Sequence, residues 1–367
     1  MEHRKLGSFS EMKYGRMPDK KKLLDKGKYP VFSGYRIVGY YDECNIDKQE
    51  LIVVARGVGG TGDVKLSPGA CFLTNLSIAV IVDESIALKE YLYYYFQINN
   101  LRYLDSGSAQ SQITIADLKN VVVPIPPLDQ QRKVVEILSR YDEKIEVNTK
   151  INDNLQQQAL AIFQQELLRE GELPDGWASG SLLDIANYLN GLAMQKFRPA
   201  DGENGLPVLK IKELRQGSCD ASSELCSPSI KPEYIVHDGD VIFSWSGSLL
   251  VDLWCGGTCG LNQHLFKVTS EKYPKWFYYA WTAHHLARFV AIAADKATTM
   301  GHIKREELAK AEVVIPDMAS MERIGGILQP MYDLIISNRI ENRKLSVLRD
   351  TILPQLMSGE LDVSDLT

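Results

Sequence analysis

The sequence predicts an α/β chain of mixed α+β type. Two similar globular domains are separated by two long helices forming an antiparallel coiled coil, with an internal pseudo-twofold repeat. Three observations predict it. A stretch of about 50 residues recurs without a gap at a constant offset of 190. Each copy spaces its apolar residues alternately three and four apart. Each copy also follows a longer region of short apolar runs punctuated by glycine.

The repeat is anchored by Val123-Pro124-Ile125-Pro126 and Val313-Val314-Ile315-Pro316. In the same frame Leu138 matches Leu328, Ile145 matches Ile335, and Leu155 matches Leu345. Asn148 and Asn152 match Asn338 and Asn342. Upstream, Ile113 and Leu118 match Ile303 and Leu308. Both segments start just after a proline, where a helix is easily begun. The first seam reads Val134, Leu138, Tyr141, Ile145, Asn148, Asn152, Leu155 and Ile162. The second reads Ile324, Leu328, Met331, Ile335, Asn338, Asn342, Leu345 and Ile352. A helix of about 40 residues spans roughly 60 Å. Asparagine on a seam lowers stability but fixes register and orientation. Its recurrence predicts that the two helices pair with each other and that side-chain amides meet. Gly171-Glu172-Leu173-Pro174-Asp175-Gly176-Trp177 reads as the linker that ends the first helix.

Residues 1–120 hold strand-like runs at Tyr29–Phe32, Glu50–Ala55 and Leu76–Val82. A glycine loop, Arg56-Gly57-Val58-Gly59-Gly60-Thr61-Gly62, separates the last two, and residues 86–100 look helical. Residues 180–310 repeat that order. Asp240–Ser244 reads as a strand, Ser246-Gly247-Ser248 as a turn, Asn262–Val268 as a further strand, and the stretch around Trp276–Tyr279 as a helix. The expected division is 1–122, 123–170, 171–312 and 313–367, alternating domain and helix.

The net charge of −6 is unevenly placed. Residues 1–120 carry 16 Lys+Arg against 14 Asp+Glu, residues 180–310 carry 14 against 14, and the remainder 11 against 19. The acidity therefore lies outside the two large regions, which leaves room for a basic face on each. Six scattered cysteines do not form the dense framework of a small secreted domain. No apolar run is long enough to span a membrane and no signal peptide is evident, so a cytoplasmic protein is expected.

Catalytic signatures are missing from the sequence. There is no phosphate-binding Gly-x-x-x-x-Gly-Lys-Ser/Thr loop, no Asn/Asp-Pro-Pro-Tyr/Phe motif and no nuclease-type Glu-x-Lys partner for Pro18-Asp19 or Pro316-Asp317. Cys255-x-x-x-Cys259 with His264, and Cys219 with Cys226, lack the spacing of structural zinc pairs. No cofactor, no metal and no catalytic residue is expected, and the chain reads as a non-enzyme.

Several runs resemble the specificity subunits of type I restriction-modification systems. In the first half they are Gly27–Gly34, Ile37–Tyr40, Arg56-Gly57, Leu73-Thr74-Asn75-Leu76, Ser106–Ile113 and Pro124–Leu128. In the second they are Gly239–Ser244, Asn262–Phe266, Ile315-Pro316 and Leu353–Leu361. The resemblance spans the chain and implies that 1–122 and 171–312 are target recognition domains, each binding half of a split DNA sequence. It implies that the helices set the gap and dock two copies of an adenine-methylating modification subunit. A restriction and motor subunit would join that core. The alternative is a non-catalytic coiled-coil interaction scaffold derived from such a subunit. One departure stands out: Thr298–Ile303 occupies the place where a Gln-rich loop is expected.

Base reading needs donors and acceptors on loops, and phosphates need cations, hydroxyls or backbone amides. The DNA-facing candidates in the first half are Lys20, Lys21, Lys22, Arg56, Thr61, Ser106, Ser108, Gln110 and Gln112. Those in the second half are Lys196, Arg198, Ser244, Trp245, Ser246, Thr298, His302 and Lys304. Helix pairing is expected through Leu138, Ile145, Asn148, Asn152, Leu155, Leu328, Ile335, Asn338, Asn342 and Leu345.

Overall fold

The computed structural model describes residues 2–57, 60–105, 112–168, 171–295 and 303–361. The chain divides into two compact units, one of residues 1–143 with 346–367 and the other of residues 144–345.

In the first unit an antiparallel sheet orders Ser10–Tyr14, Ser77–Val82, Leu51–Val54 and Val64–Leu66. Leu51–Val54 is buried at every position, because alternate side chains point to opposite, covered faces. Leu51 and Val53 join the core formed with the helix Lys89–Ile98, while Ile52 packs with Phe32, Ile46 and Leu73 on the other side. The second face is covered by a smaller sheet of Ile37–Tyr41, Tyr29–Phe32 and Phe72–Leu73. Glu2–Lys5 pairs antiparallel with Val122–Ile125 in a two-stranded clasp.

The second unit repeats this plan. Its antiparallel sheet orders Asn187–Asn190, Leu265–Thr269, Val241–Ser244 and Leu250–Leu253. Val241 and Phe243 face the core built on the helix Lys275–His284, and Ile242 packs with Leu209, Trp254 and Leu261. The smaller sheet orders Leu225–Cys226, Leu206–Leu209, Cys259–Leu261 and Ile235–Val236. Ala178–Ser181 with Glu312–Ile315 forms the second clasp. The expected strand Asn262–Val268 begins late. Asn262 Oδ1 accepts the His264 backbone N–H at 3.3 Å, a local turn that competes with the ladder, and the strand starts at Leu265.

Two long helices, Leu128–Leu167 and Met318–Ser358, follow the clasps. Each contributes to the globular cores rather than forming a separate body. In the first unit Val134 and Leu138 meet a core that includes Leu353, Leu356 and Met357. Gln131, fully buried, accepts the Leu88 N–H at 2.8 Å and donates to the carbonyls of Ile86 and Pro126. Arg349 Nη1 donates to Asp142, which also accepts the Tyr94 hydroxyl. In the second unit Ala159, Phe163 and Leu167 pack in one core with Ile324, Leu328, Tyr332 and Ile335. The buried face has moved from Ile162 to Phe163, which meets Trp281 edge to face, because a 3.6-residue helix drifts from a strict heptad.

Within the second unit the two helices run antiparallel. Asn338 Nδ2 donates to Asn152 Oδ1 at 2.9 Å, and Asn148 Nδ2 donates to Asn342 Oδ1 at 2.8 Å. Asn148, Asn152 and Asn338 are buried. Arg343 clamps Asp238 with two bonds of 2.8 Å and donates to the Cys255 carbonyl. Arg339 donates to Asp252 and to the Leu253 carbonyl. These arginines tie the second long helix to the sheet beside it.

Two outcomes follow. Asn338→Ala leaves the buried Asn152 Oδ1 without its donor and lowers stability by about 1–3 kcal/mol. Chemical denaturation measures this, and replacing both Asn152 and Asn338 by leucine recovers most of the loss. Burial pushes the Asp238 carboxyl up, but the Arg343 guanidinium and the Gly257 N–H outweigh burial and hold it below the usual range. Its stabilisation is therefore complete above the unfolded carboxylate pKa of about 3.9 and fades as pH falls through the lower folded value. In thermal melts between about pH 2 and pH 5, Arg343→Met flattens that acid limb.

Candidate nucleic-acid interface

The two units share a backbone lattice at the edge where the main and smaller sheets meet. In the first unit, Gly15 N donates to Ser77 O, Arg16 N to Leu73 O, and Asn75 N to Arg16 O. Thr74 N donates to Phe32 O, Ser77 N to Thr74 O, Ala55 N to Leu76 O, and Ile113 N to Ala55 O. In the second unit the same bonds recur. Gly191 N donates to Leu265 O, Leu192 N to Leu261 O, and Gln263 N to Leu192 O. Asn262 N donates to Leu209 O, Leu265 N to Asn262 O, Trp245 N to His264 O, and Ile303 N to Trp245 O. Parallel bridges Arg16 to Thr74 and Leu192 to Asn262 occupy equivalent places. Both lattices require glycine. A Cβ at Gly15 would lie 2.1 Å from Thr74 O, and one at Gly191 would lie 2.3 Å from Asn262 O.

Each lattice holds out a short turn, Thr74-Asn75-Leu76 in one unit and Asn262-Gln263-His264 in the other. Asn75, Gln263 and His264 are half-buried, and Leu76 is exposed. Arg16 and Arg56 are exposed beside the first turn and make no ion pair among the described residues. In the second turn the Gln263 amide lies 3.3 Å from His264 Nε2, and Ser246 Oγ lies 3.0 Å from His264 Nδ1. An amide N–H only donates, so Nε2 accepts and Nδ1 carries the proton to Ser246. An open cleft of about 450 Å³ adjoins this turn, lined among others by Gln195, Arg198, Lys210 and Lys212. Charge there is largely balanced: Lys210 and Arg198 both bond Glu224 and hold its carboxyl low, and Lys212 meets Asp220.

The candidates named from the sequence fall into three groups. Lys20, Lys21 and Lys22 form one exposed helical turn capped by Asp19; among the described residues only Lys22 approaches an acid, Glu43 at 3.9 Å. Arg56 is exposed and bridges Gln112 through the backbone, and Lys196 and Lys304 are exposed. Arg198 is exposed but bound to Glu224 at 3.1 Å. A second group must be corrected from contact to support. Thr61 is buried with its hydroxyl on Gly57 O, Ser244 is fully buried with its hydroxyl on Ser246 O and Ser248 O, and Ser246 is buried against His264. A hydroxyl sealed in this way cannot reach a groove. Trp245 stacks on Phe266 and donates Nε1–H to Asn190, so it too braces the turn. The third group, Ser106, Ser108, Gln110, Thr298 and His302, lies outside the described residues.

Arg16, Asn75, Gln263 and His264 also stand at these turns and are not among the candidates named from the sequence. Three of them stand in the runs Leu73–Leu76 and Asn262–Phe266, but those runs sit 188 apart, outside the frame of 190. Among the described residues no cluster of three or more His, Cys, Asp or Glu could hold a metal ion, and no helix is long and apolar enough to cross a membrane.

Comparison with known proteins agrees with this duplicated plan. The MjaIX specificity subunit of a type I restriction enzyme from Methanocaldococcus jannaschii is 25% identical over 354 residues, covering 88% of this chain and 81% of its own. The EcoBI specificity subunit from Escherichia coli is 24% identical over 199 residues, covering 52% of this chain and 40% of its own. The crystal structure of a type I restriction-modification S subunit from M. genitalium superposes with a TM-score of 0.65 at 18% identity, covering 97% of this chain and 95% of that one. The sequence family described as the type I restriction modification DNA specificity domain matches twice, at residues 1–157 and 174–347, and this chain belongs to that family.

Proposed function

We propose that this non-catalytic specificity subunit reads a two-part DNA target, each unit binding one half. The observation that carries this reading is the backbone lattice repeated bond for bond in two units whose outward side chains differ. A common scaffold with different tips suits two different half-sites on one duplex. The paired long helices would fix the gap between the half-sites. The first helix carries 5 Lys+Arg against 7 Asp+Glu and the second 5 against 4, so neither offers a basic surface for DNA, and two copies of a DNA adenine methyltransferase subunit would dock there. A restriction and motor subunit would complete the assembly, in the cytoplasm. Double-stranded DNA is the ligand, and two binders on one rod gain affinity through effective concentration. Lys20, Lys21, Lys22, Lys196 and Lys304 would meet phosphates, which position the protein without reading sequence.

The test is a methylation map of DNA from cells expressing this chain with its modification subunit. A split adenine-methylated motif with a fixed gap is expected, and methylation that does not depend on this chain would refute the reading. Adding one turn to both long helices, about 5 Å, should lengthen the gap by one or two base pairs and leave both half-sites alone. Replacing Lys20, Lys21 and Lys22 together by alanine should weaken binding equally on all sequences. Binding isotherms across salt concentrations would then show a slope shallower by up to about 3.

A further inference from the structure

Because the lattice matches the two units residue by residue, it also shows where they differ. The backbone of Asn75-Leu76 is held like that of Gln263-His264, yet the side chains around each turn belong to different chemistries. Arg16 and Arg56 flank the first turn; Leu192 and Ser246 stand in their places beside the second. The first turn therefore carries an amide, with an exposed arginine on each of two backbone segments bonded to it. The second presents an amide whose neighbouring imidazole is locked at both nitrogens. Beneath Asn75, the Thr74 hydroxyl is 3% exposed and has no hydrogen-bond partner among the described residues. A buried polar group of that kind calls for a ligand or water to satisfy it.

Building on the two-half-site reading, we infer that these two turns are the equivalent base-reading elements, with Arg56 and Asn75 determining the first half-site and Gln263 the second. The chemistry follows from the groups. An asparagine or glutamine amide pairs in bidentate fashion with adenine N6 and N7, and arginine with guanine O6 and N7. The Gln263 carbonyl oxygen has no partner among the described residues, so it is available to accept the adenine N6–H while the amide N–H donates to N7. Ser246, His264 and Trp245 are positioning residues that hold the second turn. Arg56 and Arg16 give the first half-site a guanine preference.

The experiment uses the full chain co-expressed with its modification subunit, with methylation mapped across a genome. Arg56→Ala and Asn75→Ala are expected to relax one or two base pairs in one half-site only, by about tenfold in discrimination. Gln263→Ala should relax the other half-site only. Gln263→Glu is near-isosteric and accepts where the amide donates, so it should shift preference from adenine toward cytosine, whose N4 donates. Unchanged motifs at rates within about twofold of the parent overturn the inference while leaving the two-half-site reading intact. So does a loss of methylation that is uniform over all sequences in both Gln263 variants, which would assign the turn to the scaffold. A parent chain that directs no split motif removes both the reading and this inference.

Discussion

A helix of forty residues stays a single helix in water only where a face is covered along its length. Nucleation is costly, and most helical stability in proteins comes from packing an amphipathic face. This chain meets that constraint twice. Leu128–Leu167 and Met318–Ser358 each bury one apolar face in the cores of the globular units while Val147, Ile151, Leu160, Leu334, Val347 and Leu348 stay exposed, and polar contacts join the helices where apolar ones thin out. The Asn152–Asn338 and Asn148–Asn342 amide pairs are the clearest case. Two buried amides that satisfy each other tolerate one register, since a slip would leave them facing hydrocarbon. The arginines of the second helix add direction, because Arg339 and Arg343 each fit one carboxylate and one carbonyl of the adjoining sheet.

The duplication uses the same economy. Glycine is needed at residues 15 and 191 because a carbonyl passes where a side chain would stand. Around those fixed points the main chain has little freedom, so variation is confined to outward side chains. Burial sorts the neighbours further. Ser244, Ser246 and Thr61 look like surface hydroxyls beside glycine, yet Ser244 and Thr61 bond carbonyls of their own loops and Ser246 bonds His264. The polar groups that stay at least partly exposed at the turns are long ones, a guanidinium or an amide.

Much of the fold was legible in the sequence because its main signal is one of period. Helix spacing and a constant frame are visible without coordinates, and the buried strand Leu51–Val54 is apolar throughout. The seam drifted from Ile162 to Phe163 because real helices do not keep a heptad. The site was less legible. Whether a serine beside a tryptophan is a contact or a brace depends on which carbonyl lies within 3 Å of it, and that is a tertiary fact. The turns at Asn75 and Gln263 were visible as short motifs, but two residues of length difference hid their equivalence.

The clasps carry one more consequence. Glu2–Lys5 lies against Val122–Ile125, and Ala178–Ser181 lies against Glu312–Ile315, so in each unit the chain enters and leaves side by side. Everything between the two strands of a clasp is one continuous stretch of chain, closed at its ends, whose core is completed by side chains of the long helices. An exchange with break points in those strands would move that stretch as one piece, and it would pack only where its core side chains match those of the helices it lands on.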